Sequence, residues 1–200
     1  MKTLYSIGYS SYNIEVFINI LKSMHIDAIV DVRSSPYSRY KPEYNKETLK
    51  QKLLDNNIYY VFLGSELGAR SEDDTCYIGD RADYSRISKT DNFKKGVNRL
   101  INGLEKYTIA LMCAEIDPLR CHRNILVCRS IRKYNVNISH ILDSGRIETN
   151  DSAETRLVSE YSMNKNDMFM TEEEVIESAY DRRSLEIAYK RSNNDNEYEG

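Results

Sequence analysis

Between Thr3 and Leu142 five short β-rich runs alternate with four amphipathic segments, and that alternation leaves the chain little choice of fold. The runs are residues 3–7 (TLYSI), 26–32 (IDAIVDV), 58–63 (IYYVFL), 107–113 (YTIALMC) and 136–142 (VNISHIL). The second is almost continuously apolar, as a parallel strand covered on both faces must be. Between the runs, apolar residues recur at helical spacing. Asn13 stands at the cap position before Ile14, Phe17, Ile18, Leu21 and Met24. Asn45 precedes Leu49, Leu53 and Leu54, and Asp91 precedes Phe93, Val97, Leu100, Ile101 and Leu104. Asp117-Pro118 combines a capping side chain with proline at the first helical position, which predicts a helix from there to about Tyr134.

Strand–helix alternation predicts an α/β fold: a mostly parallel, Rossmann-like three-layer sheet of about five strands with helices on both faces. The common strand order 3-2-1-4-5 is expected. Residues 64–90 are polar and irregular, a length that predicts a lid, a binding loop or hidden short elements. After Ser144 the pattern changes, and residues 151–161 and 172–190 read as helices. The expected organisation is an α/β domain over 1–145, a helical extension packed on it over 146–192, and a frayed tail over 193–200.

Composition removes several classes. A net charge of -3 argues against coating nucleic acid by bulk charge. No apolar run is long enough to span a bilayer, and the N-terminal MKTLYSIGYS lacks the continuous apolar core of a secretory signal. Without an export signal, Cys76, Cys113, Cys121 and Cys128 are expected to be reduced thiols in a cytoplasmic protein.

In open parallel sheets, ligands bind beyond the carboxyl ends of the strands. Here the first strand ends in Gly8-Tyr9-Ser10, the second in Asp31-Val32-Arg33-Ser34-Ser35, and the fourth in Cys113-Ala114-Glu115. The segment from Cys113 through Cys121-His122-Arg123 crowds thiols, an acid, an imidazole and guanidinium groups at a predicted helix start. A helix N-terminus suits an anion and lowers the pKa of a nearby thiol. The plainer alternative is that Arg120 and Arg123 pair with Glu115 and Asp117, and that Cys113 ends a buried strand. Cys128, beside Ile125 and Ile131, reads as core.

The motifs TLYSIGYS, IVDVRSSPYSRY, Leu63-Gly64 with Leu67-Gly68-Ala69-Arg70, and ALMCAEIDPLRCHR with SHIL resemble the bacterial and archaeal DUF488 family, a domain of unknown function, over roughly residues 3–142. Ala69 stands where the family pattern commonly has an aromatic residue or glycine. The resemblance implies an α/β fold and makes Arg33, Ser34, Arg39, Arg70, Cys113, Glu115, Cys121, His122 and Arg123 the matching positions. It implies no established reaction.

The expected function is an enzyme acting on a phosphorylated or nucleotide-like substrate. Arg33, Arg39, Arg70 and Arg123 would clamp a small anionic ligand beside Gly8, Tyr9, Ser10 and Ser34. Cys113 or Cys121 would serve as nucleophile, or Glu115 and His122 would exchange protons. Any one of these arginines alone reads as a solvated surface charge. A nucleic-acid module using Tyr37-Ser38-Arg39-Tyr40-Lys41 is the alternative, and thiol or persulfide handling a further one. The helices after residue 150 could dock a partner or a second copy of the chain. A zinc site drawn from Cys113, Cys121, His122 and Cys76 or His140 is disfavoured. Adjacent residues on a helix diverge by about 100°, and no Cys-x-x-Cys pair occurs, so neither metal nor cofactor is expected.

Overall fold

A computed structural model describes residues 2–164 and 168–191. The tail 193–200 lies outside the described residues. The strands of the central sheet are β1 (Lys2–Gly8), β2 (Ala28–Asp31), β3 (Tyr59–Phe62), β6 (Ile109–Cys113), β7 (Val136–Ile141) and β8 (Ile147–Thr149). The first five run parallel, and β8 closes the sheet antiparallel to β7. Their order is β3-β2-β6-β1-β7-β8.

That order corrects the expected one. The predicted fourth strand, β6, inserts between β1 and β2 rather than lying outside β1, so it pairs with both. The buried pattern explains the placement: all five residues of β6 are buried, which suits a strand flanked on both edges and covered on both faces. The sixth strand was not foreseen. Three residues, Ile147–Thr149, are too few to show a period.

Side-chain alternation divides the core into two layers. Ile29, Ala110 and Met112 face α1 (Ile14–Ser23) and α2 (Lys46–Leu54), packing with Phe17, Leu21, Leu49 and Leu53. Val30, Ile109, Leu111 and Cys113 face the other way, toward α5 (Asp91–Leu104), α7 (Asn150–Glu160) and α8 (Glu172–Ile187). The two helices after residue 145 thus share the sheet's core through Ala153, Leu157, Val175 and Tyr180. No described helix is long and apolar enough to cross a membrane.

Caps depart from expectation in two places. Asn13 does cap α1, accepting from Val16 N, but Asn45 turns its oxygen to Ser38 N, bracing the loop before α2 instead. Thr90, not Asp91, caps α5 by accepting from Phe93 N. Both residues at 90 and 91 are capping types, and the hydroxyl one position earlier reaches the N3 amide.

The 64–90 stretch holds short elements: α3 (Gly64–Leu67), the two-residue strands β4 (Tyr77–Ile78) and β5 (Arg81–Ala82), and α4 (Tyr84–Ile87) capped by Asp83. The segment after α8 clasps it. Ala82 N donates to Tyr189 O, Arg191 N donates to Asp80 O, and Arg70 stacks 4.3 Å over the Tyr189 ring.

One buried polar chain crosses the sheet. Ser6 of β1 meets His140 Nδ1 of β7 at 2.8 Å, and His140 Nε2 meets Asn150 Oδ1 at 3.2 Å. Burial, followed by the charge of Arg123, lowers the His140 pKa to about 4; Asn150 and Asp117 act against this and Arg156 with it. Unfolded histidine titrates near 6.5, so below that pH the unfolded chain takes up a proton that the native state refuses. Stability is complete above pH 7 and falls as pH drops toward 4. By linkage, about 2 kcal/mol should be lost between pH 7.5 and pH 5. Urea titrations of His140→Gln should show that the pH dependence specific to this position has gone; an unchanged slope would mean another group carries it.

Candidate functional site

The site forms where β1, β2 and β6 end. Beyond the last strand pairs the backbones stay together: Tyr9 N donates to Cys113 O at 3.1 Å, Ser10 N to Ala114 O at 3.0 Å, and Val32 N to Met112 O at 3.2 Å. Gly8 permits a close crossing here, because a Cβ on it would lie 1.8 Å from Glu115 O. The loop after β6 therefore folds directly over the end of β1.

The segment from Asp117 onward is not one helix. Pro118–Arg120 form a single 3-10 turn capped by Asp117, and Cys121 is extended at φ -134° and ψ 137°. Helical structure resumes with a π-helical stretch, Arg123–Cys128, running into α6 (Arg129–Ile131). The predicted helix start was a short turn because Asp117 satisfies only Leu119 N before the chain straightens. This overturns the geometric objection to Cys121 and His122 acting together: residue 121 is not helical, so the 100° divergence does not apply.

Cys113 Sγ, Cys121 Sγ and a ring nitrogen of His122 all lie within 4.8 Å of one another. His122 Nδ1 is 3.8 Å from Cys113 Sγ, while its Nε2 meets the Val32 carbonyl at 2.8 Å. The carbonyl can only accept, so Nε2 carries a proton and Nδ1 faces the thiols. Cys113 Sγ donates to Glu115 Oε2 at 3.2 Å. Cys113 and Cys121 are buried at 4% and 1% exposure, whereas Glu115 is exposed as a residue although its carboxyl group is largely shielded from solvent. All four cysteines are free thiols, and Cys76 and Cys128 are core residues outside this donor group.

The electrostatics are uneven. The bond with Cys121, then burial, hold Cys113 well above the usual thiol range. Burial works to raise Cys121, but the bond from Cys113, the Arg123 charge and His122 together hold it well below. Burial likewise opposes the charge on His122, and the bond to Cys121 outweighs it, raising the imidazole. Burial, with Cys121 next, raises Glu115. Within one cluster the environment thus separates two thiols of identical chemistry.

Two of the four arginines expected to clamp a ligand, Arg33 and Arg123, are engaged internally. Arg33 is 5% exposed and its guanidinium is engaged with Asp31, Tyr9 and the Tyr44 carbonyl. Arg123 is fully buried, donating to the carbonyls of Glu115 and Ile116 and to Ser6 Oγ. Both are struts that hold the strand-end loops, and the loops leave their guanidinium groups no open face. Arg39 and Arg70 are exposed. Ser34 Oγ accepts from Arg70 N at 3.0 Å, tying the 64–90 segment to the loop after β2. Ser10 is exposed, and Tyr9 is buried, stacked on Tyr44 at 4.2 Å. The Tyr37–Lys41 loop turns outward, with Tyr40 96% exposed.

Two features escaped sequence reading. Tyr84, buried at the start of α4, lies close enough to the cluster that Cys121, Cys113 and Glu115 add to burial in raising its phenol. The Asp83 cap before it was the available signal. Val32, an ordinary apolar residue, contributes only its carbonyl, which no side-chain pattern reveals. A concavity of about 1210 Å³, lined by residues such as Thr3, Lys94, Arg132 and Val136, contains none of the cluster's side chains.

A family model described as Domain of unknown function DUF488 matches residues 13–129, more than half of the chain. The match is narrower than the motif span of 3–142: it includes β2, β6 and the whole Cys113–Arg123 segment but excludes Gly8, Tyr9 and Ser10. No curated protein and no solved structure gives a significant match.

Proposed function

This chain belongs to the DUF488 family, and since membership assigns no reaction, we propose its function from its own side chains: an enzyme that works by thiol chemistry at the cluster of Cys113, Cys121, His122 and Glu115. The carrying observation is the meeting of two thiols and a ring nitrogen within 4.8 Å at the carboxyl ends of a parallel sheet. Cys121 is the nucleophile. His122 accepts its proton through Nδ1, held in position by the Val32 carbonyl, which is the nucleophile–base–orienter arrangement of covalent catalysis. Glu115, bonded to the second thiol, exchanges protons with the substrate. Phosphate recognition by Arg33 and Arg123 is left out of this reading, because both guanidinium groups are engaged internally.

Alkylation at pH 7 of the metal-free protein, followed residue by residue by mass spectrometry, tests this. Cys121 should react at least about tenfold faster than Cys76 and Cys128, as a thiolate does beside buried neutral thiols. His122→Ala should remove most of that advantage. Slow labelling of all four at one rate would sink the proposal.

A further inference from the structure

We infer that Cys113, Cys121 and His122 form a binding site for a thiophilic divalent cation of the Zn²⁺ type, with Glu115 beside it. The inference rests on the reading of this cluster as the reacting centre and adds a control on it.

The geometry is that of a tetrahedral shell. With bonds of about 2.3 Å to sulfur and 2.0–2.1 Å to nitrogen, neighbouring donors around zinc stand roughly 3.5–3.8 Å apart. Cys113 Sγ and His122 Nδ1 are 3.8 Å apart, and Cys121 Sγ completes a triangle with no edge above 4.8 Å. Three donors of this softness, two thiolates and an imidazole, select zinc-like ions over magnesium or calcium. His122 already has the outer arrangement of a metal ligand: one nitrogen faces the donors while the other donates to a backbone carbonyl. Glu115 Oε2, 3.2 Å from Cys113 Sγ, lies beside this triangle rather than within it, so the fourth position is left to water or substrate.

The charges close as well. Two thiolates, a neutral imidazole, a dication and the adjoining Glu115 carboxylate sum to -1. Arg123, fully buried, donates to two carbonyls and a hydroxyl rather than to a carboxylate, and supplies the matching +1. Binding releases the protons of any thiol still protonated to solvent. A thiolate bound to the ion is no longer free to attack, so occupancy switches the thiol chemistry off.

The test uses the full chain, stripped with a chelator and given Co²⁺ or Zn²⁺ alone. One Co²⁺ per chain should bind with sulfur-to-metal charge-transfer absorption, and Zn²⁺ should displace it. Cys121→Ser should weaken binding by more than about 100-fold, beyond the 10–100-fold typical of losing an outer partner, while Cys76→Ser leaves it unchanged. Should Cys121→Ser not fold, protection in the wild type decides: Zn²⁺ should slow alkylation of Cys113 and Cys121 but not of Cys76. No absorption band, or one that survives in Cys121→Ser, overturns the site. Fast Cys121 labelling without a cobalt band removes the metal and keeps the thiol enzyme; a cobalt band with uniformly slow labelling of the metal-free protein keeps the metal and removes the enzyme reading.

Discussion

Replacing Arg33 by alanine should lower the unfolding free energy by about 3–5 kcal/mol, the loss expected when one partner of a buried ion pair is removed. Asp31 is wholly buried, and Arg33 meets it with two nitrogens, Nε at 2.9 Å from Oδ1 and Nη2 at 2.6 Å from Oδ2. Nη2 also donates to Tyr44 O at 2.9 Å and Nη1 to Tyr9 Oη at 3.2 Å. The truncation strands the carboxylate with only the Tyr60 hydroxyl and the backbone N–H of residue 33. Replacing both charges together, as Asp31→Leu with Arg33→Met, should recover much of the loss, because no bare charge is left. Urea unfolding of the three proteins measures this. A loss below about 1 kcal/mol in Arg33→Ala would mean the pair is not made, and the residue would again be a candidate for ligand binding.

Gly8→Ala should cost about 3 kcal/mol or more, at or above the top of the usual range for overpacking. The added carbon would sit 1.8 Å from Glu115 O and 2.8 Å from Ile116 Cα, both backbone atoms. That backbone cannot easily retreat, since Arg123 grips the carbonyls of both residues from the other side. Either the loop lifts, taking Glu115 off Cys113, or β1 moves against β6. The substitution should therefore lower the melting temperature and also erase the alkylation preference of Cys121. A stable Gly8→Ala protein with unchanged thiol reactivity would show that the crossing is looser than described.

The fold was readable where periodicity is strong. Residues 28–30 and 109–113 are apolar on both faces, which marks them as interior parallel strands. Strand order was not readable, because an amphipathic crossover such as α1 fits equally well whether it reaches the adjacent strand or skips one. Residue type singled out Cys113, Glu115, Cys121 and His122, and these side chains do meet. Their arrangement was misjudged through Asp117-Pro118, whose capping pattern suits a three-residue turn as well as a long helix. The internal partners of Arg33 and Arg123 were unreadable for a related reason. A guanidinium looks the same in sequence whether it faces a ligand or three carbonyls, and only tertiary placement tells them apart.

The clasp between the 64–90 segment and residues 189–191 decides where the molecule opens most easily. The hairpin of β4 and β5 has two residues per strand, too little to persist alone, and Arg81 reaches its partner Leu185 across 104 positions. The strand ends pair across a similar range but inside the sheet, whereas the clasp rests on a few bonds outside it. The segment carrying Tyr84 is therefore held by the weaker latch. When the molecule breathes, that latch should be the first seam to part, exposing the cluster while the sheet beneath it stays whole.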